Sequence, residues 1–455
     1  MLSYLFRANY VFKDRYLFTG TFRADGSSKF GPNNRYGYFP SLAVGWRVSE
    51  EDFMRNLRWV DNLKLRASWG QVGNNKINNY IAYSSVLQDP VYNALFNGVY
   101  YSNGTVVTAS NPNIKWERTE QTDLGLEFAT LQKRLSIEFD YFNRTTKDLL
   151  LIIPIPGGST GISPTYSNVG SIRNRGFEFQ LNWNDHIGEF TYGVTVTGST
   201  YKNTVLDFGN QIISGSQWMS GSTHRGEKGQ PLGYFYGYQV VGIFQSDAQI
   251  AEYNGKNSQG KPYQANAKPG DLIYADTDGN GYITGNDQTN IGSPHPKFIG
   301  GLTLTAAYKG FDFALDVMGS FGAKIYNSAR NQINSTNTNL HVDWLNAWTP
   351  ANTSTDMPRL AANTANSWSS SFNVQDGTYG KIRNVELGYS LSRELLNRIK
   401  VANLRLYLNL TNPLYITKYK GFSPEVANVS PLEMGTDFST YPVSGTARVG
   451  VNLTF

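Results

Sequence analysis

Apolar and polar residues alternate with a period of two in a series of runs of roughly ten residues spaced along this chain. In the first run Tyr4, Phe6, Ala8, Tyr10 and Phe12 fall on one side, and Arg7 and Asn9 on the other. The same dyad recurs in Leu63–Trp69, Phe177–Trp183 and Leu404–Leu410, each with a charge or an amide at alternate positions. Read this way, the chain predicts strands over residues 2–11, 15–24, 38–48, 63–72, 118–130, 134–144, 172–183, 189–200, 298–308, 311–321, 381–391, 403–411 and 446–455. That is about 13 strands of membrane-crossing length.

The links between them alternate in length. Tight links fall at Lys13-Asp14-Arg15, Gln132-Lys133, Asp185-His186-Ile187-Gly188 and Lys309-Gly310, and the medium links Ser49 to Asn62 and Ser392 to Asn403 count with them. The intervening links run from about 13 residues to about 97, the longest from about residue 201 to 297. Short turns at one end and long loops at the other are the pattern of an outer-membrane barrel, with the turns periplasmic and the loops outside. The chain closes on Val449-x-Val451-x-Leu453-x-Phe455, an alternating strand ending in an aromatic, as such barrels do. The fold class expected is all-β: an antiparallel transmembrane β-barrel with long extracellular loops.

Composition changes the picture little. Aromatic residues make up 14% of the chain, enough for girdles at both membrane interfaces. A mean hydropathy of -0.39 is no objection, because only alternate residues of a barrel strand face lipid. No apolar run reaches the length of a transmembrane helix. The absence of cysteine fits an exported protein or a cytosolic one equally. Net charge is +5, with the cations scattered among the acids, so no basic stripe for nucleic acid forms.

Several blocks resemble one family. Arg15-Tyr16-Leu17-Phe18-Thr19-Gly20-Thr21-Phe22-Arg23-Ala24-Asp25-Gly26-Ser27-Ser28-Lys29-Phe30-Gly31, Tyr38-Phe39-Pro40-Ser41 and Leu63-Lys64-Leu65-Arg66-Ala67-Ser68-Trp69-Gly70 look like the SusC/RagA class of TonB-dependent outer-membrane receptors. Asn111 to Glu117, Asn168-Val169-Gly170, Asn174 to Glu178, Pro294 to Phe298 and Leu410 to Leu414 follow in the family's order. The resemblance implies import of glycan or peptide fragments across the outer membrane of a Gram-negative, Bacteroidetes-like cell. It further implies a SusD-like surface lipoprotein as capping partner and energy delivered through the TonB complex. Family members begin with a signal peptide, a plug domain and the first barrel strands, and none of these precedes Tyr4 here. Residues 1–455 are therefore expected to be the C-terminal part of such a barrel, about 13 of about 22 strands. Alone it would be an open sheet with two unpaired edges, which hydrocarbon does not tolerate.

The sharpest chemical motif is Asp276-x-Asp278-x-Asn280-Gly281-x5-Asp287, a calcium-loop pattern with Asp in place of the final Glu. Hard cations take oxygen ligands, and alternate positions aim carboxylate and amide oxygens at one centre while the glycine allows the turn. Asp276, Asp278, Asn280, the Tyr282 carbonyl and Asp287 are the expected ligands of a structural Ca2+ that stiffens a long loop, with Thr284 reaching it only through water. The competing reading is an Asx-rich turn that satisfies itself. Gly233 to Phe244 is expected inside the longest loop, as a hairpin packed by its own aromatics, because one more barrel strand there would invert all that follow. Ser49 to Leu57 and Ser392 to Arg398 carry helix signals. Trp218, Tyr234, Tyr236, Trp344, Trp348 and Trp368 are either sugar-stacking platforms or loop-core packing.

Catalysis finds no support. His186, His224, His295 and His341 are isolated and expected in solvated loops, with His186 in a tight turn, and no hydrolase or phosphate-binding motif occurs. The carboxylate pairs Glu50-Glu51 and Glu117 with Glu120 have no assignable spacing. A second reading is a secreted all-β carbohydrate-binding or adhesin protein, which would bury its apolar strand faces internally.

Overall fold

The structure is a computed structural model that describes all residues except 88–93, 102–104, 109, 153–165, 210–211, 216–221, 258–260, 332–338, 363 and 427–429. Thirteen long strands follow one another as antiparallel neighbours in chain order. They are β1 (Leu2–Phe12), β2 (Tyr16–Gly26), β3 (Tyr36–Arg47), β4 (Val60–Asn74), β5 (Glu117–Thr130), β6 (Leu135–Lys147), β7 (Ser171–Ile187), β8 (Phe190–Asp207), β9 (Phe298–Tyr308), β10 (Phe311–Phe321), β11 (Tyr379–Ser390), β12 (Asn403–Thr417) and β13 (Thr446–Thr454). All thirteen expected strands are present. β7, β8 and β12 run beyond their predicted ends. No helix among the described residues is long and apolar enough to cross a membrane.

The chain divides into two compact units, Met1–Asn184 with Tyr201–Gln211, and Asp185–Thr200 with Ile212–Phe455. In the first, cross-strand register stacks like residues. Tyr10 pairs with Phe18, Phe18 with Val44, Val44 with Ala67, Ala67 with Leu124, Leu124 with Tyr141 and Tyr141 with Phe177, which makes one face apolar from strand to strand. The opposite face carries charge: Lys64 meets Glu127 at 3.0 Å and Arg66 meets Asp140 at 2.7 Å. The β1–β2 turn is closed by the Arg15 N–H donating to Phe12 O, with Lys13 and Asp14 both at positive φ, the turn type whose twist matches the strands.

The second unit repeats the division. Tyr192, Ala306, Phe313, Leu387, Leu408 and Val449 are successive partners on the apolar face. On the polar face Arg405 binds Asp312 and lies 2.7 Å from Glu386.

Burial follows from this layout. Large apolar side chains on the strands stay exposed, Phe6 at 68% and Tyr10 at 61%, so the sheet does not fold its apolar face inward as a secreted β-sandwich would. The dry cores lie in the long links instead. In the first unit Phe30, Ile77, Ile114, Trp116 and Leu150 gather with Phe39. In the second Tyr238, Leu272, Tyr274, Trp344, Met357 and Phe372 do the same.

Two expectations about the short links fail. Ser49 to Leu57 is not one helix but two short 3-10 turns, Val48–Glu50 and Asp52–Met54, with Glu51 extended between them. Glu51 accepts from Tyr16 Oη at 2.7 Å, Trp46 Nε1 at 3.0 Å and Arg15 Nη1 at 3.0 Å, and these bonds to neighbouring strands replace the helical path. His186 lies in the last residues of β7 rather than in a turn, because the link is only Gly188 and Glu189. The helix expected near Ser392 does form, at Arg393–Ile399.

Candidate functional site

The link between β8 and β9 holds the acidic motif and, of the aromatic candidates, Trp218, Tyr234 and Tyr236. Gly233 to Phe244 lies in this link, as expected, but not as a self-paired hairpin. Tyr234–Tyr238 pairs with His224–Gly226 and with Gln288–Gly292, while Val240–Ile243 pairs with Leu272–Tyr274. This places the strand Leu272–Tyr274 directly before the acidic segment and Gln288–Gly292 directly after it, so both ends of the motif are anchored.

Within the motif the carboxylate oxygens of Asp276, Asp278 and Asp287 lie within 4.8 Å of one another. Asp276 accepts from Gly279 N at 2.7 Å and Gly281 N at 2.9 Å; Asp278 accepts from Asn280 N at 3.0 Å; Asn280 Oδ1 accepts from Tyr282 N at 3.0 Å. Asp287 is fully buried and accepts from Thr277 N at 2.8 Å and Thr284 N at 2.6 Å. Thr284 and Asp287 also form a capping box on the short turn Gly285–Asp287. Desolvation pushes the Asp276 carboxyl up, but the N–H groups of Gly281, Gly279 and Asn280 with the Asp278 side chain outweigh it and hold it below the ordinary carboxylate range.

The Asx-turn bonds of the competing reading are therefore present, and the three carboxylates converge as well. Each carboxylate oxygen has a second lone pair, so accepting an N–H does not remove it as a ligand. Among the described residues no lysine or arginine forms an ion pair with any of the three. Gly281 takes φ +87°, and a Cβ there would stand 2.7 Å from Asn257 Oδ1. Asn257 closes the loop by donating to Gly281 O and, at 2.7 Å, to Lys261 O. This latch, 24 residues upstream, has no sequence signature.

Beside the motif lies a cavity of about 600 Å³ lined by Tyr263, Gln264, Asn266, Asp271, Ile283 and Trp368. Ile283 belongs to the acidic segment, and its N–H donates to Tyr263 O at 2.8 Å. Trp368 stacks on Tyr274 at 5.5 Å and 22° and is partly exposed. The other aromatics are divided by burial. Tyr234, Trp344 and Trp348 are buried in loop packing, with the indole N–H groups donating to Arg330 O and Gln245 Oε1. Tyr236 is partly exposed under the Arg225 guanidinium, 3.5 Å from its ring centre. Trp218 lies outside the described residues.

Two histidines are not solvated. His224 is 1% exposed, with Nδ1 2.8 Å from Thr223 Oγ1 and Nε2 3.1 Å from Met434 O. Desolvation lowers its pKa to about 4, against a weaker upward pull from the Met434 carbonyl. His295, 2.9 Å from Leu232 O, is lowered for the same reason. Glu117 and Glu120 do not form a pair: Glu117 binds Asn74 and Leu150 N, while Glu120 binds Trp69 and Lys147.

Thirteen antiparallel strands with one apolar and one charged face, linked by folded loops, set the comparison with known proteins. A family model described as TonB dependent receptor-like, beta-barrel matches residues 3–267. The chain belongs to that family. It is 34% identical over its whole length to TonB-dependent receptor P3 of Formosa agariphila, covering 45% of that protein. It is 31% identical to TonB-dependent receptor SusC of Bacteroides thetaiotaomicron, again along 100% of this chain and 44% of the relative. The structure of the RagAB peptide transporter superposes with a TM-score of 0.80 at 25% identity, covering 100% of this chain and 47% of that one. The SusC/RagA resemblance holds, and the chain spans about half the length of the curated relatives it matches. Membership places these residues in the barrel of a TonB-dependent receptor.

Proposed function

We propose that residues 1–455 supply the C-terminal part of the barrel of an outer-membrane importer that takes up glycan or peptide fragments in a Gram-negative, Bacteroidetes-like cell. A SusD-like surface lipoprotein caps it and the TonB complex supplies energy. The observation that carries this reading is the two-faced sheet, apolar on the Tyr10 to Phe177 ladder and charged on the other side, in a chain similar to SusC and to the RagAB peptide transporter. The test is affinity purification of the full-length receptor from detergent-solubilised outer membranes. A lipid-anchored surface protein at equal stoichiometry, and uptake of labelled oligosaccharide or peptide lost on its deletion, supports the reading. A receptor that purifies alone and transports without it overturns the partner.

The convergence of Asp276, Asp278 and Asp287 favours a second role within that function. A hard divalent cation, Ca2+ by its ligand chemistry, is held by these carboxylates with Asn280 and the Tyr282 carbonyl, and stiffens the loop beside the cavity. Terbium luminescence on the purified receptor tests it. Sensitised emission displaced by Ca2+ and absent in Asp276→Asn/Asp278→Asn is expected; equal emission from the variant rejects the site.

A further inference from the structure

On the apolar face of the first unit, β7 changes character abruptly. Trp183, Leu181, Phe179 and Phe177 alternate down one side, then Arg175 and Arg173 continue the same side. β6 does likewise, passing from Ile137, Phe139 and Tyr141 to Asn143, Thr145 and Lys147, with Tyr141 beside Phe177, Asn143 beside Arg175 and Thr145 beside Arg173. On β8, Asn203 donates to Asn174 Oδ1 at 2.7 Å across the polar face. The alternation therefore puts the next residue pair, Lys202 and Arg175, on the apolar side. Three cations thus sit just above an aromatic edge, at the end of the strands facing the long links.

Their acid neighbours are already engaged. Glu120, which pairs with Thr145, binds Lys147 at 2.7 Å and Trp69 at 2.9 Å. Asp148 binds Lys115 at 2.9 Å and Arg118 at 3.2 Å. Among the described residues Arg173, Arg175 and Lys202 make no ion pair, and Arg173 Nε is a buried donor with no acceptor. The Arg175 and Lys202 side chains are exposed and that of Arg173 partly so, which leaves cationic donors without a carboxylate partner open to an acceptor from outside the chain. Guanidinium forks match phosphate oxygens in two-point geometry.

We infer that Arg173, Arg175 and Lys202 form a binding surface for the phosphates of an outer-leaflet glycolipid, whose acyl chains lie against Phe177, Phe179 and Tyr141. A lipid rather than a soluble anion is the occupant because the cations continue an apolar face without a break. A lipid seated there grips the barrel wall at the interface.

The inference rests on the membrane reading of this face, and the experiment separates the two. The full-length receptor, purified from outer membranes, is analysed by native mass spectrometry with added lipid A bearing two, one or no phosphates, and with inorganic phosphate as competitor. Retention of phosphorylated lipid A, weak retention of the dephosphorylated form, and a loss of at least tenfold in R173Q/R175Q/K202Q are expected. The variant should keep the heat-modifiable gel migration of a folded barrel; if it does not, the single variants R175Q and K202Q, both at exposed positions, carry the test. Unchanged lipid retention in a folded variant overturns the inference and leaves the barrel standing. Displacement by millimolar inorganic phosphate overturns it in favour of a free-anion site. A receptor that does not fractionate with membranes removes the membrane reading itself.

Discussion

His224 and Met434 stand 210 residues apart in the chain, yet the imidazole Nε2 of one lies 3.1 Å from the carbonyl oxygen of the other. Thr436 Oγ1 approaches the same nitrogen at 3.1 Å, so the ring ties the β8–β9 link to the last long link. A ring held between a carbonyl and two hydroxyls is neutral, with a proton on the nitrogen facing Met434. The folded pKa, about 4, lies below the unfolded value of 6.5. The unfolded state then takes up a proton first as pH falls. Stability is full above pH 6.5 and declines by about 3 kcal/mol as pH drops toward 4. Limited proteolysis of the loops across that window is expected to accelerate, and His224→Gln, which keeps a donor toward Met434, is expected to flatten much of the pH dependence.

Opposite faces of β12 should respond oppositely to charge. Leu408 lies on the apolar ladder between Leu387 and Val449, and Asn409 on the polar face between Glu386 and Arg448. Leu408→Arg should cost about 2–4 kcal/mol near the bilayer midplane, and Asn409→Arg much less. Folding titrations of the full-length receptor into lipid vesicles compare the two. A larger cost at Asn409 would mean that the faces have been assigned the wrong way round, and equal costs that they do not differ in environment.

Arg405 holds two carboxylates, Asp312 from β10 and Glu386 from β11. Its side chain is 20% exposed, so the pair is worth more than a surface bridge and less than a dry one. A double-mutant cycle of Arg405→Gln with Asp312→Asn should return a coupling of about 1–2 kcal/mol in urea unfolding from detergent. A coupling near zero would assign the cluster to lumen electrostatics alone.

At Gly281 the backbone is left-handed and Asn257 fills the space a Cβ would need. Gly281→Ala should therefore loosen the acidic loop by about 1–3 kcal/mol. Faster hydrogen exchange at Asn280 to Thr284, with the barrel strands unchanged, is the expected reading; unaltered exchange would show that the latch is dispensable.

The barrel strands were legible because their cause is local: one face of each strand is apolar, and period two records it directly. Their outer ends were less so. Tyr201 to Asp207 continues β8 although its alternation fades, because pairing with a neighbour holds a strand that composition alone does not announce. Glu51 had every mark of a first-turn helical acid, but the partners that pulled it away, Tyr16 and Trp46, come from two other strands. The burial of His224 was hidden for the same reason, since its partners lie far along the chain. The acidic motif was readable down to its turn glycine, while Asn257, which closes it, was not.

The dry cores in the links set how such a chain can change. A ring such as Phe6 or Tyr10 meets a fluid hydrocarbon with no fixed shape, and another apolar side chain serves there nearly as well. Phe235, wholly buried against His224 and Tyr326, meets neighbours of fixed shape drawn from separate loops. Divergence can therefore run freely along the wall one residue at a time, whereas the loop interiors can drift only through paired, compensating replacements, and such pairs join different links of the chain.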